Sequence, residues 1–510
     1  MTDKTLDKYS VSADKVRMDV EIGRKPKEFV PVYNLKIPKL EKGTLVLLED
    51  IKDTVISKMP IKVAELLDPK TFEVLKQRFL SKCTELMEKN LPQLSHDKRQ
   101  FLAGMLVHEM LGLGKLEVLL ADGNLEEIVV NSSKEPVWVY HKKFGWLKTN
   151  ISISTEAQIQ NYASSIGRKV GRQITTLHPL LDAHLVTGDR VNATLFPIST
   201  IGNTLTIRMF RRKPWTITEF IDNKTTSPEV TALFWLAVQY EMSMIISGGT
   251  ASGKTSFLGS IMPFVQPNQR VLTIEDTREL NLPTFLHWVP LTTREPNPEG
   301  KGEVAMIDLL VNSLRMRPDR IIVGEIRRQR QAEVLFEAMH TGHSVYATLH
   351  ADTVEQAYRR LVNPPINVPI TLLEALDLIV AMFRDRRTGK RRIYQVAELI
   401  PPSGKTKETG LTLRVLYRWN PRKDKIEKFQ ESYRFIKNLE MHTGLNEKEI
   451  QKNLKDKEKI LNWMVKNHVN TVDGVGMLVA EYYRDPDNVL KIVNKDEKAD
   501  KLIPKHLLKG

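Results

Sequence analysis

An octapeptide near the middle of the chain combines three glycines with a final lysine and threonine. Residues 248–255 read GGTASGKT and match the pattern G-x-x-x-x-G-K-[ST] in full. An apolar run at 242–247 precedes them and an apolar helical pattern at 255–262 follows, which is the strand–loop–helix context of a phosphate-binding loop. Backbone N–H groups and the helix N-terminus would hold a polyphosphate, with Lys254 at the β and γ oxygens and Thr255 on Mg²⁺. The predicted binding residues are Gly248, Gly249, Thr250, Ala251, Ser252, Gly253, Lys254, Thr255 and Ser256.

Acidic residues follow two apolar segments downstream of this loop. A bound polyphosphate needs carboxylates to complete the metal site and to orient the attacking water. We therefore predict Glu325 and Glu279 as catalytic carboxylates, and Glu325 also as a Mg²⁺ ligand, directly or through water. Which of the two is the base stays open, and Glu275 and Asp276 are further candidates. For each acid the alternative is a helix cap or an ion pair with a nearby arginine.

Two histidines, His343 and His350, bracket an apolar segment and lie seven residues apart. An unbroken strand between them would place them on opposite faces, so a metal shared by the two is not expected. A polar side chain at a strand end beside the phosphates can instead sense whether the γ-phosphate is present, and we predict this role for His350. The alternative for either histidine is a core residue with satisfied hydrogen bonds.

The elements that must position these residues alternate between strands and helices. Strand patterns occur at 242–247, 271–274, 321–323 and 345–349, with helical patterns between them. Such alternation predicts an α/β domain with a mostly parallel sheet covered by helices on both faces. A capping box at 352–355 should begin a further helix, and a hairpin should turn at 388–389. Two more helical patterns, through Leu461 and through Leu478, occupy the tail.

The segment before the linker has a different pattern. Helical spacing over 66–91 and 98–111 is followed by β-rich segments on both sides of 132–133, which predicts an α+β domain ending near residue 215. The first forty residues are polar and charged, and we expect a mobile arm with at most one or two strands.

Length and composition exclude several classes of protein. The 510 residues suggest three or four domains of ~100–200 residues each. A hydrophobic content of 41% with 27% charged residues excludes a mostly disordered, collagen-like or coiled-coil chain. Cys83 is the only cysteine, which excludes an intrachain disulfide and a multi-cysteine zinc site. With neither an apolar signal segment nor a run of ~18 apolar residues, we expect a cytoplasmic protein.

The chain is strongly basic, with a formal net charge of +14. Residues 401–510 hold 23 basic and 16 acidic residues, a net charge of +7. Such charge predicts attraction to nucleotides, nucleic acid or an anionic membrane face. The alternative for the tail is a solvated, lysine-rich helical face.

Four segments in order resemble motifs of the type II/type IV secretion ATPase superfamily. GGTASGKTS, IEDTREL, LRMRPDRIIVGEIR and GHSVYATLHA are similar to its Walker A, Asp-box, Walker B and His-box motifs. Gly324 stands where a metal-binding Asp is usual in Walker B motifs, and a glycine there is a habit of this family. GLGKLEVLLADGNLEEIVVN and PLLDAHLVTGDRVNATLFPIS also resemble its N-terminal domain, so the resemblance covers about 101–399.

The resemblance implies a RecA-like P-loop NTPase domain preceded by an α+β N-terminal domain, with ATP and Mg²⁺ as cofactors. Together with the sequence patterns above, it predicts an arm and helical region (1–95), the α+β domain (96–215), a linker (216–228), the RecA-like domain (229–400) and a basic extension (401–510). In the family, basic residues of the N-terminal domain reach the phosphates, and Arg190 and Arg208 are the candidates. The alternative for both is an arginine paired with a surface acid.

The resemblance also implies a homo-hexameric motor at the cytoplasmic face of the cell membrane, working with an integral membrane platform protein and an anionic membrane surface. The chain is most similar to archaellum motor ATPases in its length and its cysteine-free tail. We therefore expect it to power assembly of an archaeal type IV pilus-like filament, and its rotation if that filament is an archaellum. One alternative is an ATPase of adhesive-pilus assembly or secretion.

The second alternative is a nucleic-acid translocase, which a pI of about 9.4 would allow. No nucleic-acid-binding module or interleaved aromatic pattern supports it, and no nucleic-acid partner is expected. A third alternative is a nucleotide-gated scaffold with negligible turnover.

Overall fold

The computed structural model describes residues 4–26, 28–38, 41–60, 65, 69–185, 188–209, 213–296, 299–401 and 411–508. The chain divides into two compact units. The first comprises residues 1–212 with 297–301, and the second comprises residues 213–296 with 302–510.

The described part of the first unit contains a nine-stranded sheet in the order β1-β2-β3-β6-β5-β4-β9-β8-β7. Its strands are β1 Lys4–Ala13, β2 Val16–Arg24, β3 Val32–Leu35, β4 Leu125–Val130, β5 Pro136–His141, β6 Gly145–Ser152, β7 Leu180–His184, β8 Arg190–Thr194 and β9 Thr204–Arg208. Its helices are α1 Lys42–Lys58, α2 Pro69–Asn90, α3 His96–Leu111, α4 Leu116–Leu120 and α5 Glu156–Lys169. The α+β class predicted for this part of the chain is confirmed. The helices predicted over 66–91 and 98–111 correspond to α2 and α3, with 66–68 outside the described residues.

The N-terminal arm is a correction. One or two strands in a mobile arm were predicted, but β1, β2 and β3 form one edge of the nine-stranded sheet. Strand β2 alternates strictly between buried and outward-facing residues, which is the pattern of a strand with one face on a core. The sequence VRMDVEIG shows the same alternation of apolar and polar residues, so this strand could have been predicted from its period. The buried residues are Val16, Met18, Val20 and Ile22.

The second unit contains a sheet in the order β12-β11-β13-β14-β10-β15-β16-β17-β18. Its strands are β10 Met244–Gly248, β11 Arg270–Glu275, β12 His287–Thr292, β13 Arg320–Val323, β14 Ser344–Leu349, β15 Leu378–Arg384, β16 Arg391–Ile400, β17 Thr412–Asn420 and β18 Lys425–Lys428. Strands β10 to β15 pair in parallel, and β16 to β18 continue the sheet antiparallel. The mostly parallel sheet and the hairpin at 388–389 are confirmed.

Helices cover both faces of this sheet. They are α6 Ile217–Asp222, α7 Pro228–Gln239, α8 Lys254–Ile261, α9 Met306–Ser313, α10 Gln329–His340, α11 Val354–Val362, α12 Ile370–Leu373, α13 Arg434–Thr443, α14 Glu447–Lys466, α15 Val472–Arg484 and α16 Pro486–Asn494. In β10, Met244 and Ile246 enter one core with α7, α8, α14 and α15, whereas Ile245 enters the other with α9, α10 and α11. Alternate residues of one strand therefore supply two hydrophobic layers.

The structure also differs from the predicted division of the second unit. Residues 401–510 were predicted as a separate extension, but β17 and β18 lengthen the same sheet and α14 packs on α7. The apolar faces of these elements are buried in the core of the preceding domain, which the sequence pattern alone does not indicate. Residues 402–410 lie outside the described residues. The predicted linker at 216–228 contains α6, which begins with a capping box between Thr216 and Glu219.

Helix α11 begins one residue later than the predicted capping box implies. Thr353 is its N-cap, and its hydroxyl accepts the N–H of Gln356. Asp352 therefore lies just outside the helix.

Candidate functional site

The carboxyl ends of the parallel strands bring the predicted site residues to one edge of the sheet. Ser247 pairs with Leu349, Ala347 with Val323, and Val323 with Ile274. The residues that follow β10, β11, β13 and β14 therefore emerge next to one another. Ligands of open α/β sheets bind at such an edge.

The glycine-rich loop joins β10 to α8. Gly253 has φ +93°, in the left-handed region where glycine is favoured. A Cβ on Gly248 would lie 2.4 Å from the Ser252 hydroxyl oxygen and 2.8 Å from the Met382 carbonyl oxygen. Gly253 is thus needed for its backbone conformation, and Gly248 is needed because a side chain would not fit.

Lys254 lies at the start of α8 with its amine directed back over the loop. Nζ donates to the carbonyl oxygens of Gly248 and Gly249, at 2.9 Å and 3.2 Å. Burial lowers the pKa of Lys254, and the negative charges of Glu325, Asp352 and Glu279 partly oppose that shift. The charges of three carboxylates thus act on this amine. Two of them, Glu325 and Glu279, were predicted from the sequence.

Glu325 also takes part in an ion-pair network. Arg327 Nε donates to Glu325 Oε2 at 2.9 Å, and Arg327 Nη1 donates to Asp276 Oδ2 at 2.8 Å. Glu325 and Asp276 therefore do form the ion pairs with an arginine that were named as their structural alternative. Glu325 also acts electrostatically on Lys254. Because all three paired groups are partly exposed, we expect the network to orient these side chains more than to stabilise the fold.

Glu275 has a structural role at the end of β11. It is only 2% exposed, and its Oε1 accepts the backbone N–H groups of Glu279 at 2.9 Å and Leu280 at 3.1 Å. Within the described residues its Oε2 has no hydrogen-bond partner. Burial raises the pKa of Glu275 to about 7. Glu275 thus anchors the segment that carries Glu279.

The two histidines lie at opposite ends of β14. His350 directly follows Leu349, which pairs with Ser247, so it emerges beside the start of the phosphate-binding loop. His343 precedes the strand, and its Nδ1 lies 3.2 Å from the Ala338 carbonyl oxygen. The structure thus brings His350 to the candidate site and His343 to the opposite edge, and the γ-phosphate role of His350 stays a prediction.

Arg190 and Arg208 belong to the first unit, where they occupy directly opposed positions on β8 and β9. Arg190 Nη2 lies 2.7 Å from Asp182 Oδ2, an ion pair in which both side chains are about half exposed. This pair is the structural alternative named for Arg190. Contact of either arginine with phosphate stays a prediction.

Sequence reasoning missed two residues beside the loop. A Cβ on Gly249 would lie 2.6 Å from Asp352 Oδ1, so this carboxylate lies against the loop backbone. Arg391, at the start of β16, donates from Nε to the Ala251 carbonyl oxygen at 3.0 Å. Asp352 was interpreted only as part of a capping box. A signal for Arg391 was its position directly after the predicted hairpin, which returns to the loop's edge of the sheet.

The residues present fit ATP and Mg²⁺. A side chain at Gly248 would collide with Ser252 and Met382, so glycine preserves the loop conformation, and Lys254 offers a cationic donor for phosphate oxygens. No group of three or more His, Cys, Asp or Glu that could hold a metal occurs within the ranges that the structure describes. Mg²⁺ usually keeps several waters and binds one or two carboxylates plus phosphate oxygens, so Thr255 and Glu325 suffice as protein ligands.

Among the described helices, none combines the length and apolar character needed to span a bilayer.

Comparison with known proteins agrees with this geometry. Residues 148–399 match the family model described as "Type II/IV secretion system protein". An uncharacterized protein of Methanocaldococcus jannaschii is 36% identical over 373 residues, which cover 69% of this chain and 66% of that protein. The chain thus spans just under two thirds of that relative's length.

Two further relatives are covered almost completely. Another uncharacterized protein of M. jannaschii is 35% identical over 255 residues, 50% of this chain and 93% of the relative. The type IV secretion system protein PtlH of Bordetella pertussis is 29% identical over 313 residues, 55% of this chain and 91% of PtlH. With the family model and the four ordered motifs at one edge of the sheet, these relatives show that the chain belongs to the type II/type IV secretion ATPase superfamily.

Proposed function

We propose that this chain is a Mg²⁺-dependent ATPase that couples hydrolysis to mechanical work. The observation that carries the proposal is the arrangement around Lys254, whose amine lies on the phosphate-binding loop and faces Glu325 and Glu279. A cation at the loop and acids at the neighbouring strand ends are the groups that phosphoryl transfer requires.

Bound ATP and Mg²⁺ would supply the transferable γ-phosphoryl group and the charge that neutralises its oxygens. Lys254 would exchange its two carbonyl partners for phosphate oxygens, because a charge-assisted hydrogen bond is stronger than a neutral one. Glu279 or Glu325 would orient water and accept its proton. Glu275 would hold the Glu279 segment in place, and Arg327 would orient Glu325.

The test compares ATP affinity with turnover across a Mg²⁺ titration. We expect Lys254→Ala to weaken ATP binding and to abolish turnover, because it removes the cation at the phosphates. Glu325→Gln and Glu279→Gln should still bind ATP but lose ~10²–10⁴ in turnover, the scale for a positioned catalytic carboxylate. Glu325→Gln should also shift the Mg²⁺ requirement.

Glu333→Gln is the matched control, since Glu333 lies on the exposed side of α10 and accepts from Gln329. It should leave both quantities unchanged. Near-normal turnover in Glu325→Gln would show that β13 was wrongly assigned as the strand carrying the catalytic acid. Wild-type protein that binds no ATP would refute the proposal as a whole.

We further propose that the ATPase forms a homo-hexameric ring that powers assembly of an archaeal type IV pilus-like filament, and also its rotation if that filament is the archaellum. Support comes from the motif resemblance and from similarity to proteins of the archaeon M. jannaschii. The similarity to PtlH keeps assembly of a pilus or secretion machine as the second candidate. Deleting the gene and scoring swimming and piliation separately distinguishes them, since retained swimming with lost pili would reject the archaellum.

We also propose that the motor works at the cytoplasmic face of the membrane, with a platform protein and anionic lipid as partners. Helix α14 supports the lipid contact, because its exposed lysines recur at helical spacing on the side opposite its buried residues. These lysines are Lys448, Lys452, Lys455, Lys459 and Lys466, of which Lys466 pairs with Asp496. The acids of the same helix lie on its flanks.

Liposome flotation tests this contact. Binding to anionic vesicles should weaken as rising salt shortens the ~8 Å physiological screening length. Replacing the exposed Lys448, Lys452, Lys455 and Lys459 by Gln should reduce it further. Four exposed lysines of the first unit serve as the matched control, namely Lys89, Lys98, Lys115 and Lys134. Binding that ignores salt and lipid charge would reject the contact.

A further inference from the structure

Asp352 occupies a position beside the phosphate-binding loop that the motifs do not explain. It follows β14 by three residues and precedes Thr353, the N-cap of α11, so it is not itself the cap. Its backbone N–H donates to Gln356 Oε1 at 3.1 Å, which fixes the main chain at this point. Over the described part of the chain, its carboxylate shows no hydrogen bond or ion pair.

The loop residue next to Asp352 is Gly249. The motif G-x-x-x-x-G-K-[ST] leaves this position free, and Gly249 is not among the left-handed glycines of the described residues. Neither the pattern nor the backbone conformation therefore requires glycine here. The carboxylate occupies the space beside this glycine, because a Cβ would lie 2.6 Å from Oδ1 at the end of the exposed Asp352 side chain.

The carboxylate is also electrostatically linked to the loop's lysine. Lys254 Nζ donates to the carbonyl oxygen of Gly249, and the charge of Asp352 raises the pKa of Lys254 against the effect of burial. Asp352 and Lys254 thus lie on either side of the same loop residue. A polyphosphate bound to this loop would meet a negative charge beside its own.

We propose that Asp352 is a specificity-determining residue that makes the loop bind metal-complexed nucleotide in preference to the free polyphosphate. A like charge a few ångströms away disfavours the free anion, and a divalent cation offsets that repulsion. Asp352 thereby weakens binding of nucleotide without Mg²⁺ relative to the Mg²⁺ complex. The proposal rests on the proposed ATPase function, since it concerns the same loop.

The test measures equilibrium binding of a fluorescent ATP analogue in EDTA and in excess Mg²⁺, with no turnover required. We expect Asp352→Asn to tighten binding in EDTA by about tenfold, the effect of removing one nearby like charge. In Mg²⁺ the affinity of Asp352→Asn should differ from that of wild type by less than about threefold. The ratio of the affinity in Mg²⁺ to the affinity in EDTA should therefore be smaller in Asp352→Asn than in wild type. Asp352→Glu should keep the wild-type ratio, and Glu333→Gln is the charge-matched control at a distance from the loop.

The outcomes separate two failures. Wild-type protein that binds the analogue in neither condition would refute the ATPase proposal. Wild-type protein that binds in Mg²⁺, with an Asp352→Asn ratio equal to that of wild type, would overturn the inference about Asp352 alone. An equal change in Asp352→Asn and Glu333→Gln would also overturn it, because the effect would then be one of net charge.

Discussion

Two lysines of the second unit have the same direction of pKa shift in very different surroundings. Burial lowers the pKa of Lys254, and it lowers that of Lys457 to about 7. Lys254 donates to main-chain carbonyls and faces three carboxylates. Lys457, on α14, is fully buried, with its Nζ bonded to Asn453 and 5.4 Å and 5.0 Å from the ring centroids of Trp235 and Tyr482.

The difference teaches that the role of a buried lysine is indicated by the groups around its amine and not by the direction of its pKa shift. Lys254 donates to carbonyl oxygens of a loop with left-handed backbone and lies in the field of carboxylates that follow other strands, an arrangement suited to exchanging partners with a ligand. The Lys457 amine contacts one amide oxygen and two aromatic rings, and the charge of Asp456 only partly opposes the effect of burial on its pKa. The first arrangement indicates a binding site and the second a packing contact between α14 and α7.

The largest expected effect is on activity and comes from the same substitution made at both positions. Lys254→Met should lower kcat by at least about 10²–10³, the scale for removing one donor that stabilises transition-state charge. Lys457→Met should leave ATP affinity and turnover within about twofold. Phosphate release and ATP titration measure both. A comparable loss of activity in Lys457→Met would break the comparison.

The next effect is on stability. Lys457→Ala should lower the free energy of unfolding by about 2–5 kcal/mol, the range for truncating a long side chain in a core, whereas Lys254→Ala should change it by less than about 1 kcal/mol. Thermal unfolding of the two variants beside wild type provides the measurement. Equal destabilisation by both would show that the loop lysine is also a packing residue.

A pH series sharpens the role of Lys457. Because its folded-state pKa is about 7 and its ordinary value is 10.5, the folded state holds this proton less tightly than the unfolded state. The loss of folding stability caused by burying the charged amine is therefore complete below about pH 7, and it disappears as the pH rises to about 10.5. Wild type should therefore gain stability relative to Lys457→Met over this interval, as measured by unfolding midpoints at pH 7 and 9.5. A constant difference would contradict a depressed pKa.

The smallest effect concerns Glu275, which is buried like Lys457 but lies beside the site like Lys254. Its pKa rises from 4.5 to about 7 on folding, a smaller shift than that of Lys457. Its contribution to stability is complete below about pH 4.5 and is lost as the pH rises through 7. Glu275→Gln should therefore become more stable relative to wild type between pH 5 and 8. Unfolding midpoints at these two values test the sign, and a reversed trend would mean that Glu275 stays ionised.

The sequence predicted the elements of the parallel sheet well. The strands at 271–274 and 321–323 were placed within one or two residues, because strands buried on both faces appear as continuous apolar runs. Strand β2 shows its period in the sequence VRMDVEIG, but its place in the nine-stranded sheet depends on pairing with β1 and β3, which the pattern of one segment does not indicate. The extension was misjudged because an amphipathic helix does not reveal what its apolar face will contact.

The site divides in the same way. The phosphate-binding loop and the acids Glu279 and Glu325 could be predicted because each motif is a short continuous segment. Asp352 was not found, since its role depends on Gly249, a residue on another strand's loop. The role of Glu275 as an anchor was likewise hidden, because it depends on burial and on which N–H groups its carboxylate meets.

The sequence by itself determined the loop conformation, the order of strands and helices and the acids available at the strand ends. These depend on interactions between residues close in the chain, so a local pattern is sufficient to specify them. Only the tertiary structure decided which carboxylates face Lys254, that Lys457 is enclosed by aromatic rings, and that the C-terminal strands belong to the same sheet. Burial and charge environment depend on segments that folding brings together from distant parts of the chain, and no local pattern contains that information.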